Sequence, residues 1–168
     1  MRVMMRGPDG RPLGGTILIF FYGYFLLHWL TGIFMFREKL GFSYDSVVRY
    51  YLGDPEMFMN PRSFIGLLEV AHFHLFAMGL FFVIFSHLLL FTSFREQLKG
   101  VLIRLLAAAI LADMAAGWLV CYVGAPFAWL KLGAFWLLQG ISLVLLLGLT
   151  LTLGRRPLPH ADSIDKAP

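Results

Sequence analysis

Charge is what this sequence has least of. Asp, Glu, Lys and Arg together make up 14% of its 168 residues, where a soluble domain carries about a quarter. Residues 12–36 and 70–94 contain none of the four, and neither does 132–154. Cysteine is nearly absent too, and the single Cys121 excludes an internal disulfide framework. The formal net charge of +4 is spread along the chain rather than gathered into a patch, which excludes a nucleic-acid-binding surface. Glycine-rich nucleotide loops, nucleophile triads and paired haem-c cysteines are missing as well.

What the chain has in place of charge is oil: 59% of it is hydrophobic and its mean hydropathy is +0.75. A helix needs about 20 apolar residues to cross a bilayer, and four segments meet that length, at about 17–36, 61–92, 101–122 and 126–153. The fold class expected is all-α: a polytopic membrane protein whose four transmembrane helices, within 16–154, form an antiparallel bundle. The second span is expected to open with Asn60 as cap and Pro61 at the first helical position, where proline's missing N–H costs nothing. Residues 1–15 read as a basic cytoplasmic tail and 155–168 as a second one. Nine of the fourteen Lys and Arg lie in these tails or around Arg95, Lys99 and Arg104. Since basic residues resist translocation, both termini are expected in the cytoplasm, in a bacterial inner membrane. Between the first two spans, Val47, Val48 and Tyr51 fall at helical spacing, so residues 43–53 read as a short helix on the membrane surface, with an irregular loop as the alternative. Tyr50, Tyr51, Tyr122 and Trp129 read as an interfacial aromatic belt.

Ionisable groups inside spans are costly and therefore mark candidate sites. His28 in span one, Glu69, His72, His74 and His87 in span two, and Asp113 in span three qualify. At about 1.5 Å of rise per residue, His28, His72, His74 and Asp113 all reach the middle of the bilayer. His72 and His87 are fifteen residues apart, which places them on one face within about 60° and separates them by about 22 Å along the axis. That spacing resembles the one with which a cytochrome b helix serves two stacked haems. Spans three and four bring no histidine, so the expectation is one haem b between His28 and His72 or His74. The protein would then be an electron-transfer subunit that exchanges electrons with quinol. Two other readings stand beside it. One is a single zinc, iron or copper ion held by Glu69, His72, His74 and Asp113, with Met57, Met59 and Met78 as soft donors for Cu(I). The other is a non-catalytic accessory subunit of a larger membrane complex, or a homo-oligomer, that uses its buried polar groups for helix association. The alanines and Gly117 of span three give it a small face for close packing.

The segments PRSFIGLLEVAHFHLFAMGLFFVIFSHLLL (61–90) and GWLVCYVGAPFAWLKLGA (117–134) resemble a family of small four-helix bacterial membrane proteins. In that family a Glu-x-x-His-x-His-Leu-Phe segment opens the second helix. The resemblance implies the four-helix topology and gives weight to span two; it implies no reaction.

Overall fold

The computed structural model of the chain describes residues 13–90, 92 and 94–154. Among the described residues are five α-helices: α1 (Leu13–Lys39), α2 (Tyr44–Leu52), α3 (Phe64–Leu90), α4 (Glu96–Tyr122) and α5 (Ala128–Gly154). Short 3-10 turns occupy Pro55–Met57 and Ala125–Phe127. Four of the helices are long and apolar enough to cross a membrane, and α2 is the short element between the first two of them. The fold is all-α, as the sequence predicts. Of the two tails, 1–12 and 155–168 lie outside the described residues, whereas residues 13–15 already belong to α1.

Local chemistry sets the helix ends. Gly41, at φ 73°, closes α1 and donates its N–H to Phe36 O and Arg37 O at 3.0 Å each, the left-handed stop that glycine adopts without a Cβ penalty. A capping box starts α2: Ser43 Oγ accepts from Ser46 N at 3.1 Å, and Ser46 Oγ accepts from Ser43 N at 3.2 Å. The start of α3 differs from expectation. Ser63, not Asn60, caps it, accepting from Gly66 N at 3.1 Å, and Pro61 remains in the preceding loop. That loop is held instead by Arg62 N, which donates to Tyr51 O at 3.0 Å. α4 also begins earlier than the apolar run. It takes in Lys99, whose buried Nζ donates to Leu90 O at 3.1 Å and pairs with Glu96 at 2.9 Å, tying the start of α4 to the end of α3.

The interior has two apolar layers. One gathers Phe25, Phe85, Leu89, Leu106 and Leu145 toward the end of the bundle where α3 gives way to α4. There α1 meets α3 through its aromatics, with Phe25 and Phe85 ring centroids 4.6 Å apart. The other layer gathers Phe36, Val47, Tyr51, Val120 and Phe135 at the opposite end, where Phe36 stacks on Phe135 at 3.8 Å. α4 and α5 are the most closely packed pair. The buried face of α4 runs through Leu102, Leu106, Ala109, Asp113, Ala116, Gly117 and Val120, and its small residues allow the close approach expected of that stripe.

α2 does not simply rest on the membrane surface. Its apolar side enters the bundle, with Val47 fully buried and Tyr51 nearly so, so Tyr51 is not a belt residue. The cap is tied down by Arg49–Asp54 at 3.0 Å, by a two-way backbone bridge between Asp54 and Met59 at 2.9 Å each way, and by Arg62 stacked 4.0 Å above the Tyr50 ring. Tyr51 fits because residue 117 is glycine: a Cβ there would stand 2.9 Å from both Cε1 and Oη of Tyr51. Gly117→Ala is therefore expected to lower stability by about 1–3 kcal/mol through overpacking. The same substitution in a Tyr51→Ala background should cost much less, as thermal unfolding of both in detergent would show.

Candidate functional site

The apolar residues of the bundle surround one ion pair. Asp113, two thirds of the way along α4, is 9% exposed and lies 2.8 Å from Lys131 Nζ, which also donates to Asp113 O at 3.1 Å. Lys131 stands only three residues into α5 and extends its side chain along the bundle to reach the carboxylate. Its four methylenes cover apolar surface while the ammonium is held by oxygen, so both charges are neutralised and hydrogen-bonded. The ion pair joins the two most closely packed helices across their interface.

Beside the pair lies a cavity of about 50 Å³, bounded by α3, α4 and α5 and roofed by α2. Tyr51, His74, Asp113 and Lys131 supply its polar lining, and Leu67 and Ala71 are among its apolar walls. His74 is held in place by its own helix, with Nδ1 2.8 Å from Val70 O. A carbonyl oxygen only accepts, so Nδ1 carries the proton and a neutral ring keeps Nε2 as an acceptor. The Tyr51 hydroxyl makes no hydrogen bond to another described residue and borders this cavity.

The sequence-derived candidates part company here. His74 and Asp113 line the same cavity, and of the neighbouring pair it is His74, not His72, that turns toward the bundle. His28, Glu69, His72 and His87 are exposed on the protein surface. Taking Leu67 and Phe85 as the inward line of α3, Glu69 stands about 200° and His72 about 140° away, on the face turned from the bundle. His28 is on the flank of α1, its ring 6.4 Å from that of Phe25. Among the described residues no three or more His, Cys, Asp and Glu side chains group as metal ligands would. Met57 is engaged by Arg49, whose Nη1 lies 3.3 Å from its sulfur. The site also includes two residues that the sequence reading left out, Lys131 and Tyr51.

Comparison with known proteins adds the family. A family model described as a transmembrane helical domain matches residues 41–159, more than two thirds of the chain. The chain belongs to the Aq_1264_TM family of transmembrane helical domains. The matched segment contains the whole site, from Tyr51 on α2 to Lys131 on α5, and begins after α1. No curated protein and no solved structure matches the chain.

Burial pushes the Tyr51 phenol above its ordinary value of 10.0; the charge of Asp113 adds to this, as do Tyr50 and Cys121, and Arg62 opposes them. The folded state thus holds the Tyr51 proton more tightly than the unfolded chain does. The resulting stability is intact below the unfolded value of about 10 and is lost as pH rises beyond it. Thermal unfolding temperature is expected to fall above about pH 10, and the fall should be shallower in Tyr51→Phe. An identical alkaline profile in the variant would contradict this account of Tyr51.

Proposed function

We propose that the protein is a non-catalytic accessory subunit of a larger membrane assembly. The observation that carries this reading is the outward placement of Glu69 and His72 on α3, within a helix long and apolar enough to span the bilayer. An ionisable side chain facing lipid is costly, by about 2.5–3.5 kcal/mol for a charge at the centre of a spanning helix; Glu69 and His72 stand five and eight residues from the start of α3. Another membrane-embedded protein that presents hydrogen-bonding or oppositely charged groups to Glu69 and His72 removes that cost. Burial supports the same side as the docking face: 11% of each spanning window in α1 and α3 is buried within the chain, against 33% in α4 and 44% in α5. The interior ion pair, satisfied by its own partners, serves helix association, and α1 and α3 serve assembly.

The electron-transfer reading has less geometric support. A haem b between His28 and His72 or His74 needs two converging imidazoles, whereas His28 and His72 both lie on the outer surface of the bundle. The distribution of Lys and Arg supports an orientation with both termini in the cytoplasm and the α2 cap outside a bacterial inner membrane.

Native electrophoresis of the full chain, extracted gently from its own membrane, tests the proposal. The wild type is expected to migrate well above its 19.1 kDa mass, and Glu69→Leu with His72→Leu to release it while its unfolding temperature is unchanged or raised. A wild type that migrates alone, or a double variant that stays assembled, would contradict the accessory role. A split α-band in the dithionite-reduced spectrum would favour the haem reading instead.

A further inference from the structure

The cavity beside Asp113 and Lys131 has features that helix association does not require. About 50 Å³ is ample for water, since one molecule needs about 10–15 Å³ by this measure. Its lining offers both donors and acceptors. Tyr51 is a buried residue whose hydroxyl borders the space and has no hydrogen bond to another described residue. His74 Nε2 is free to accept once Nδ1 donates to Val70 O. Asp113 commits Oδ1 and its carbonyl oxygen to Lys131, and Oδ2 makes no hydrogen bond to another described residue. The cavity has apolar walls as well, but its polar edge offers water the several partners it needs to be held there.

We infer that this chamber is a hydrated proton relay, in which water links Nε2 of His74 to the Asp113 carboxylate beneath the Tyr51 hydroxyl. The inference goes beyond the accessory role and does not depend on it. When His74 is protonated, its Nε2–H donates to the water. The imidazolium proton passes to that water while one of the water's own protons passes to Asp113 Oδ2. The O–H bond to Asp113 forms as the N–H bond of His74 breaks, the water is regenerated, and total charge is conserved. The products are a neutral imidazole, a neutral carboxyl group and a Lys131 ammonium that has lost its counter-charge. Histidine is the side chain suited to exchange protons near neutral pH.

The groups facing His74 across the chamber are Asp113 from α4, Lys131 from α5 and Tyr51 from α2. Glu69 and His72, on its own helix, point away from the bundle, and His28 of α1 lies beside Phe25 rather than on the chamber wall.

The test uses the full chain in lipid nanodiscs, with histidine nitrogens labelled and the His74 signal identified by its loss in His74→Gln. In the wild type, water-edited nuclear magnetic resonance is expected to show transfer from water to His74 Nε2. Ala71→Leu, which fills the chamber, should reduce that transfer at least five-fold; Ala71→Val serves the same purpose if the larger residue prevents folding. Infrared difference spectra on acidification should show a protonated carboxyl band that disappears in both Asp113→Asn and His74→Gln. Absence of water transfer in the wild type would overturn the proposal, as would a carboxyl band that persists unchanged in His74→Gln.

Discussion

The ion pair between Asp113 and Lys131 is the constraint on which the rest of the bundle depends. A carboxylate within an apolar helix is stable only when a cation and hydrogen-bond donors reach it, and here one lysine side chain provides both. Meeting that demand fixes the rotation of α4 and the register of α5, because Lys131 reaches the carboxylate in few arrangements of the pair. The small residues Ala109, Ala116 and Gly117 on the same face of α4 then allow close packing. With α4 and α5 set, the notch at Gly117 receives Tyr51 and anchors α2, so the polar centre and the cap form one construction.

The bundle is polarised in an unusual sense. Asp113 and Lys131 are closed on one another beside a cavity the size of a few waters, while several ionisable groups of α1 and α3 are turned outward. In water this would be ordinary, but a lipid surface offers Glu69 and His72 no hydrogen bonds. The accessory reading and the relay reading therefore draw on different residues. The first rests on Glu69 and His72, the second on His74, Asp113 and Tyr51, and neither set overlaps the other. The family match covers α2 to α5 and both sets of residues, which places the two features in the part of the chain that defines the family.

Much of the architecture is legible in the sequence because long uncharged runs have few alternatives to spanning helices. The α2 helix is readable from the spacing of Val47, Val48 and Tyr51. Tyr51's burial is not, because it depends on a glycine in a helix distant in sequence. Span two is apolar all round, so no hydrophobic stripe distinguishes the inward His74 from the outward His72. Lys131 escapes for a geometric reason. It is three residues from the start of α5, while Asp113 is nine from the end of α4, so counting by helical rise places them about 9 Å apart in depth. Only the length and tilt of a real lysine side chain close that gap.

The most direct measurement is a double-mutant cycle on the ion pair, with unfolding free energies of the wild type, Asp113→Asn, Lys131→Met and the double variant in lipid–detergent micelles. Each single substitution leaves an uncompensated buried group and is expected to cost about 3–5 kcal/mol. The double variant should recover most of that loss, giving a coupling energy well above the scatter of independent sites, about 0.5 kcal/mol. Strictly additive losses would show that the two charges act independently and would contradict the claim that their pairing organises the bundle.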